Sequence, residues 1–225
     1  MIGFSCSGVL FDLDGVLVDS IAAVERQWRI WAARHRLDPE HVIHAAHGHR
    51  TIETVRLLMP ELDAAYEAST VEKGEVEDTA GLTRKECSAE LIARLPRDRW
   101  AIVTSGSRAL ATARLRSVGL PAPEKLVTAD DVTNGKPNPE PYLKGAALLG
   151  LPPSKCLVFE DAQSGIRAAK LAGAKVIAVA GTYPAADLRE ADAVISSLCE
   201  VDLSFGAEGD GSKVVRVSVR AAVRN

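Results

Sequence analysis

The sequence predicts an α/β fold, a doubly wound parallel sheet that carries an inserted helical unit. Short apolar runs typical of buried strands alternate with helical stretches, as in a parallel sheet covered by helices on both faces. A long segment between the first two runs lacks any comparable strand pattern. The 225 residues suffice for one such domain with an insertion. The predicted strands span residues 8–12, 100–104, 125–128, 156–160, 176–180 and 193–195.

The composition is that of a globular protein without a charged binding surface. Hydrophobic residues make up 47% and charged residues 25% of the chain, so a full hydrophobic core is expected. The formal net charge of −3 leaves no basic field for non-specific nucleic-acid binding. Aromatic residues, at 4%, are too few for a platform that stacks single-stranded bases. Nucleic acid is therefore excluded as an expected partner.

The sequence predicts neither export nor membrane insertion. The apolar segment 8–18 is interrupted by Asp12 and Asp14, and no basic residues precede it, unlike a signal peptide. No apolar run reaches the roughly 18 residues of a transmembrane helix. The four cysteines are widely spaced and form no CxxC pair, which favours a reducing, cytoplasmic compartment. They are Cys6, Cys87, Cys156 and Cys199.

The long segment between the first two strands is predicted to be helical. Its first apolar residues recur at steps of three, four and three, as on one packing face of a helix. These residues are Ile21, Val24, Trp28 and Trp31. Residues 51–58 and 62–71 also have helical patterns, and Pro60 separates them. A connection of about 85 residues is too long for a simple strand–helix–strand link, so it is predicted to be a folded insert.

These patterns divide the chain into two parts. We predict a core formed by residues 1–18 and 87–225, and a helical unit over residues 19–86. The acidic stretch 72–78 of that unit is expected to be a solvated face. Near the C-terminus, residues 214–220 alternate as in an edge strand or hairpin arm, after a turn or mobile loop over residues 205–213.

Polar residues follow three of the predicted strands, at the end where parallel sheets bind ligands. After the first strand, Asp12 and Asp14 are followed by Gly15. If the chain turns there, a carboxylate and a backbone carbonyl can converge on Mg²⁺, which binds to a few hard oxygen ligands. The same residues are also compatible with a simple acidic turn.

The other polar segments could bind a phosphate anion and a metal cation next to each other. Ser105 and Ser107 precede a predicted helix, so they either cradle an anion with nearby N–H groups or cap the helix. Lys136, between a glycine and a proline, can neutralise a phosphate, although most lysines are solvated. Glu160 and Asp161 end another strand. Together they could form the second half of the metal site, or Asp161 could simply cap the following helix.

The ordered set of motifs resembles the haloacid dehalogenase superfamily of phosphatases over nearly the whole chain. The order is Asp-x-Asp, then Ser, then Lys, then Glu-Asp, each at a strand end. The runs over residues 100–107 and 135–140 are especially similar to the bacterial sugar phosphatase branch. That branch includes enzymes that act on hexose and hexitol phosphates, on 2-deoxyglucose 6-phosphate and on glycerol phosphate. The resemblance implies a Rossmann-like core with a helical cap inserted after the first strand.

The resemblance also implies a role for the acidic motifs. Asp12 would attack phosphorus and form an aspartyl-phosphate, and Asp14 would protonate the leaving sugar oxygen and then deprotonate water. Mg²⁺ would be held by Asp12, the Asp14 carbonyl and Asp161, with Glu160 beside them.

The phosphoryl oxygens would be bound by the remaining motifs, on the same resemblance. Ser105, the Gly106 N–H and Lys136 would contact these oxygens, which carry charge in the transition state. Thr104 replaces Ser105 if the motif is one residue out of register. The expected partner is a small phosphorylated metabolite, and we expect a monomer or weak homodimer.

Substrate specificity is expected to depend on the cap. In the enzymes that this sequence resembles, the position of residues 47–51 is occupied by a loop that determines substrate specificity. Arg50 would therefore bind the non-reacting part of the substrate, and His47 would help to orient the substrate. The alternative is that both are surface residues of a cap loop. Residues 82–87 lack the Pro-Gly that many relatives carry where the cap returns to the core, so the hinge differs.

Several other functions share parts of this motif set. A haloacid dehalogenase needs neither Asp14 nor Mg²⁺, and a phosphonatase needs a cap lysine, which is missing between Gly15 and Glu72. A response-regulator receiver, from another class, is shorter and has no cap. A β-phosphoglucomutase-like sugar phosphomutase shares the core motifs and stays the alternative to a Mg²⁺-dependent sugar or polyol phosphatase.

Overall fold

The computed structural model describes residues 1–207 and 213–219. Its strands are β1 (Ile2–Cys6), β2 (Gly8–Phe11), β3 (Val18–Asp19), β4 (Thr83–Arg84), β5 (Trp100–Val103), β6 (Leu126–Val127), β7 (Cys156–Glu160), β8 (Lys175–Val179), β9 (Ala193–Ile195), β10 (Val201–Ala207) and β11 (Lys213–Val219). Its helices are α1 (Ile21–His35), α2 (Pro39–Ala46), α3 (Thr51–Leu58), α4 (Ala64–Glu77), α5 (Ser88–Arg94), α6 (Arg108–Ser117), α7 (Glu140–Leu148) and α8 (Gln163–Ala172).

Six strands form a parallel sheet in the order β6-β5-β2-β7-β8-β9. The chain runs from the central strand β2 to β5 and β6 on one side, and then to β7, β8 and β9 on the other. The carboxyl end of β2 is therefore the topological switch point, where open α/β sheets bind ligands. This topology confirms the predicted fold class, and each predicted strand of the sheet is present with ends shifted by at most one residue.

The central strand is buried on both faces of the sheet. Val9 and Phe11 belong to one hydrophobic cluster and Leu10 to the other, as alternating residues of a covered strand do. The Phe11 ring stacks on Phe159 with centroids 5.2 Å apart and meets Trp100 edge-on at 6.3 Å. This packing fixes β2, so the residue that follows Phe11 has a defined position at the carboxyl edge.

The helices α1–α4 lie between the short strands β3 and β4 and have a hydrophobic cluster of their own. β3 and β4 pair antiparallel, with Val18 opposite Arg84. Trp28 and Trp31 pack edge-on at 5.5 Å within the cluster, which confirms the predicted packing face of α1. The helix predicted over residues 51–58 is also confirmed as α3, and α2 is an additional helix.

The prediction of a solvated face over residues 72–78 is wrong for part of that stretch. Helix α4 continues through most of it because Ala68, Val71 and Glu75 form one buried face at helical spacing. Glu75 is only 5% exposed. The sequence pattern alone suggested a solvated stretch, because the basic side chain that meets Glu75 comes from another part of the chain.

The C-terminal residues form a second, antiparallel sheet in the order β1-β11-β10. β11 is the hairpin arm predicted over residues 214–220, although it lies between two partner strands rather than at an edge. β10 extends to Ala207, which corrects the start of the loop predicted over residues 205–213. Residues 208–212 of that prediction lie outside the described residues.

Two cysteines form a disulfide, whereas their wide spacing favoured reduced thiols. Cys87, just before α5, is bonded to Cys199 with an S–S distance of 2.09 Å, across 112 residues of sequence. Cys6 and Cys156 are buried free thiols. The pairing depends on the tertiary proximity of distant segments, which cysteine spacing does not reveal. The cytoplasmic location stays a prediction.

Among the helices of residues 1–207 and 213–219, none combines the length and the hydrophobicity needed to span a bilayer.

Candidate active site

The polar ends of three neighbouring strands meet at the carboxyl edge of the parallel sheet. Asp12 directly follows β2, and its N–H donates to the Phe159 carbonyl at 2.9 Å. Ser105 lies just after β5, Glu160 ends β7 and Asp161 follows it. Because β5 and β7 flank β2, the structure brings three of the predicted motifs to one edge.

Lys136 is buried at this edge and connects the motifs. Its Nζ donates to Asp12 Oδ1 at 2.9 Å and to Glu160 Oε1 at 2.6 Å. The hydroxyl of Tyr142 donates to the same Glu160 oxygen at 2.9 Å, and its ring centroid lies 5.0 Å from Nζ. Burial by itself lowers the pKa of Lys136, but Asp12 and Glu160 raise it by more, so the lysine is charged.

Glu160 is held rigidly by donors on both carboxylate oxygens. Besides the two bonds to Oε1, its Oε2 accepts from the backbone N–H groups of Asp161 at 2.7 Å and Ala162 at 2.9 Å. A Cβ atom at Gly165 would approach Oε1 to 1.6 Å, so the carboxylate packs where only a glycine leaves room. Glu160 therefore orients the residues around it.

The carboxylates at this edge are arranged as a metal site would be. Oxygens of Asp12, Glu160 and Asp161 all lie within 4.8 Å of one another. Thr182 Oγ1 donates to Asp161 Oδ2. Gly15 has a φ of 76°, and a Cβ atom there would lie 1.8 Å from the same oxygen, so the turn after Asp12 passes directly beside Asp161. Hard oxygen donors in this number suit Mg²⁺.

The pKa values show how crowded the negative charge is. Burial raises the pKa of Asp12 to about 7, and Glu160 adds to the increase, while Lys136 offsets part of it. Burial and the neighbouring carboxylates Glu160 and Asp12 raise the pKa of Asp161 well above its usual range. Excess negative charge in a buried place is stabilised by a cation, so these donors fit a divalent metal ion.

Asp14 is held from two sides. Ser20 Oγ donates to Asp14 Oδ1 at 2.7 Å, and Arg114 Nη1 donates to Oδ2. Arg114 Nη2 also donates to Oε2 of Glu75 at 2.9 Å. Burial lowers the pKa of Arg114, but Asp14 and Glu75 raise it by more, so the guanidinium keeps its charge. One core arginine thus binds Asp14 and a carboxylate of α4.

Arg114 and Glu75 are site residues that the sequence motifs did not predict. Arg114 lies on the buried face of α6 with Leu110 and Leu115, and Glu75 lies on the buried face of α4 with Val71. A charged residue inside an apolar helical face is the pattern that could have identified both, because such residues are rarely buried without a partner.

The loop after β5 has internal hydrogen bonds. The Gly106 N–H donates to Thr104 Oγ1 at 3.1 Å, and Ser105 Oγ donates to the Gly48 carbonyl at 3.1 Å. Ser107 Oγ accepts a backbone N–H of α6, so Ser107 is the helix cap. Thr104, Ser105 and Gly106 all line the cavity described below.

The two predicted specificity residues lie in different places. His47 lines the cavity, its Nε2 is buried without a hydrogen-bond partner, and burial lowers its pKa. Arg50 is buried outside the cavity lining. Its guanidinium donates to the carbonyls of Val132 at 3.0 Å and Thr133 at 2.7 Å. The structure therefore brings His47 to the site and directs Arg50 to the core backbone.

Arg50 also pairs with Glu53 one turn further along α3. Glu53 Oε1 accepts from the Gly135 N–H at 3.0 Å, directly before Lys136. Together these contacts fasten α3 to the loop that carries the buried lysine.

A cavity of about 80 Å³ lies between the sheet edge and the helices α1–α4. Residues that line it from the core include Asp12, Asp14, Ser105, Gly106, Arg114 and Asp161. Residues that line it from the helical side include Val24, Trp28, His47, His49 and Glu75.

A doubly wound sheet with an aspartate pair and a buried lysine at its switch point defines a class of α/β hydrolases. A family profile for haloacid dehalogenase-like hydrolases matches residues 6–173. The chain belongs to this family, which confirms the resemblance inferred from its motifs.

Individual relatives narrow the comparison. The chain is 45% identical over 210 residues to hexitol phosphatase A of Escherichia coli (strain K12), covering 91% of this chain and 97% of the relative. It is 37% identical over 199 residues to glycerol-1-phosphate phosphohydrolase 1 of Saccharomyces cerevisiae, covering 82% and 78%. CbbY from Rhodobacter sphaeroides in complex with phosphate has a similar structure, with a TM-score of 0.77, 25% identity and coverage of 87% and 96%. These relatives confirm the predicted sugar phosphatase branch.

Proposed function

We propose that this protein is a Mg²⁺-dependent phosphomonoesterase that hydrolyses small sugar or polyol phosphates through an aspartyl-phosphate. The observation that carries the proposal is the position of Asp12. It is buried at the switch point, it is hydrogen-bonded to Lys136, and it lines a small cavity together with Asp14. The relatives named as phosphatases of hexitol and glycerol phosphates support the substrate class.

Asp12 is the proposed nucleophile. Lys136 holds its Oδ1, which fixes the carboxylate for attack on phosphorus. A bond forms between the Asp12 carboxylate and phosphorus, and the bond from phosphorus to the sugar oxygen breaks. Water then attacks the aspartyl-phosphate at phosphorus, which releases inorganic phosphate and regenerates Asp12.

Asp14 is the proposed general acid and base. It gives a proton to the leaving sugar oxygen in the first step and accepts one from water in the second. Its two oxygens are bonded to Ser20 and Arg114, so the carboxyl group has a defined place in the cavity wall. Such fixed placement matters because proton transfer depends steeply on geometry.

Asp12, Asp161 and the Asp14 carbonyl are the proposed ligands of Mg²⁺. When bound, the ion offsets the repulsion between these carboxylates and the phosphate. We place Glu160 beside the ion rather than on it, because four hydrogen bonds already engage its two oxygens.

Ser105, the Gly106 N–H and Lys136 are the proposed contacts of the phosphoryl oxygens. Ser105 and Gly106 line the cavity, and their present bonds to Gly48 and Thr104 would exchange for bonds to phosphate. Thr104, which also lines the cavity, stays the alternative to Ser105.

Residues 19–86 are the proposed cap. Ser105 and Ser164 both donate to the Gly48 carbonyl, and Arg50 binds two carbonyls of the core, so the cap is in contact with the core around the cavity. We assign His47 to the substrate hydroxyls because its ring lines the cavity and its Nε2 has no partner. We now assign Arg50 to cap closure, because core carbonyls occupy its guanidinium.

A phosphate-release screen tests this function. Purified protein is assayed against monophosphates of sugars and polyols, with Mg²⁺ or with a chelator, and with or without a sugar bisphosphate. We expect Mg²⁺-dependent release of inorganic phosphate without the bisphosphate. Absence of release from every ester would contradict the proposal, and strict dependence on the bisphosphate with an isomeric product would favour the phosphomutase instead.

A further inference from the structure

The cap wall of the cavity contains one carboxylate, Glu75, which the proposed chemistry does not use. It lines the cavity from α4, and its Oε2 accepts from Arg114 at 2.9 Å. Arg114 is shared with Asp14, so two carboxylates neutralise the single guanidinium. The non-reacting end of a bound substrate would therefore meet a wall that carries no excess positive charge.

The reacting end of the cavity offers no cation to a second anionic group. Its carboxylates, Asp12, Glu160 and Asp161, are balanced by Lys136 and by the proposed Mg²⁺. Lys136 is engaged by Asp12 and Glu160 at the reacting end, so it is not available to a second anionic group.

Three further basic residues lie at or near the cavity, and His49, which lines it, has its Nδ1 hydrogen-bonded to the His47 carbonyl at 3.1 Å. Arg50 lies outside the lining and donates to the carbonyls of Val132 and Thr133. His47 is in the lining, but burial lowers its pKa, so a neutral ring is favoured. A neutral imidazole and a carboxylate are both suited to hydrogen bonds with hydroxyl groups.

We propose that Glu75, paired with Arg114, makes the cavity selective for phosphate monoesters whose other end is neutral over those that carry a second carboxylate. This inference rests on the proposed phosphatase function and names the substrate class of the same site. A hydroxyl can donate to the Glu75 carboxylate, whereas a second carboxylate or phosphate would be repelled by it in a poorly solvated place. The discrimination arises from a repulsive contact as well as an attractive one.

Two matched substrate pairs test the inference. Sorbitol 6-phosphate is compared with 6-phosphogluconate, and glycerol 3-phosphate with 3-phosphoglycerate, because within each pair a terminal hydroxymethyl group is replaced by a carboxylate. At pH 8, above the raised pKa of Glu75 of about 7, we expect kcat/KM of the wild-type protein to favour the neutral member of at least one pair by about tenfold or more. Glu75→Gln should reduce that preference about tenfold, chiefly through a lower KM for the acid.

Three controls distinguish the effect of the Glu75 charge from effects of overall charge or of misfolding. Glu75→Asp keeps the charge and should keep the preference. Glu77→Gln removes a charge from the exposed side of the same helix and should also keep it. Melting temperatures establish that each variant is folded, and if Glu75→Gln does not fold, charge-retaining Glu75→Asp and shortened Glu75→Ala provide the comparison.

The outcomes distinguish the two levels of the argument. If the wild-type protein hydrolyses none of the four esters, nor any other phosphate monoester, the phosphatase function itself is overturned. If it hydrolyses neutral and acidic members equally, or if removal of the Glu75 charge leaves the preference within about twofold of wild type, the phosphatase stands and the selectivity inference is overturned. A loss of preference in Glu77→Gln would also overturn it, because the effect would then come from overall charge.

Discussion

The cavity has two walls that are built in different ways. The core wall consists of residues at strand ends, and Asp12, Lys136 and Glu160 are fixed there by hydrogen bonds among themselves. The cap wall consists of side chains from helical faces, such as Trp28 and Glu75, which are placed by packing between helices. On the proposed function, the reaction would depend on the first wall and the choice of substrate on the second.

Removal of the nucleophile should have the largest effect. Asp12→Asn keeps the shape of the side chain but removes the attacking carboxylate, so we expect kcat to fall by about 10⁴-fold or more. Phosphate release from the best ester of the screen measures this. Asp98→Asn, an exposed substitution, is the matched control and should keep wild-type rates. Activity within tenfold of wild type in Asp12→Asn would exclude Asp12 as the nucleophile.

Removal of the metal ion should have the next largest effect. Excess chelator should reduce hydrolysis by about 10³-fold, because the clustered carboxylates then repel the phosphate, and Mg²⁺ should restore it. Mg²⁺ should also raise the melting temperature of the chelator-treated protein, since it binds to the folded site. Asp161→Asn should diminish that rise. A chelator-resistant activity, or a melting temperature that does not respond to Mg²⁺, would contradict the metal site.

Arg114 joins the two walls, so its substitution should have an intermediate effect. Arg114→Gln loosens Asp14, and we expect kcat for sugar or polyol phosphates to fall by about ten- to a hundredfold. Hydrolysis of p-nitrophenyl phosphate should change less, because its leaving group needs no proton and only the second step, in which water gives a proton to Asp14, still depends on that residue. Arg116→Gln, on the exposed side of the same helix, is the control. Equal losses for both kinds of ester would indicate a structural role only.

Arg50 lies in the proposed cap and contacts the core outside the cavity, so its substitution should have a smaller effect that is uniform across substrates. Arg50→Ala should raise KM by about three- to tenfold for every substrate, because it weakens closure by the loss of charged hydrogen bonds. The exposed Arg56→Ala is the control. A changed order of substrate preference would instead show that Arg50 contacts the substrate.

The smallest effect concerns stability. Burial, with Asp14 and Glu72 nearby, raises the pKa of Glu75 to about 7 despite Arg114. Between the ordinary carboxyl pKa of 4.5 and the raised value, folded Glu75 keeps a proton that the unfolded chain has released, so the free energy of unfolding falls as pH rises. Melting temperatures measured across this window should fall less steeply for Glu75→Gln than for wild type or Glu77→Gln. Identical slopes would mean that Glu75 titrates normally.

The sheet and the core wall of the cavity could be predicted from local sequence patterns. Strand periodicity is local, and the carboxyl ends of parallel strands must meet at one edge, so Asp12, Ser105 and Asp161 could be assigned to one site from their positions alone. Lys136 was assigned by motif resemblance. Lysines are usually solvated, but the carboxylates of Asp12 and Glu160 offset the free-energy cost of burying the Lys136 charge.

The contact partners of the side chains on helical faces are visible only in the tertiary structure. Arg114 is 100 residues from Asp14 and 39 from Glu75, and Cys87 is 112 from Cys199. A helical pattern states which residues share a face, but the burial of a charge depends on what that face meets across the fold. For this reason the sequence left open whether Arg50 is buried or solvated. Its hydrogen bonds to the carbonyls of Val132 and Thr133 are visible only in the folded structure, where residues 19–86 meet the core.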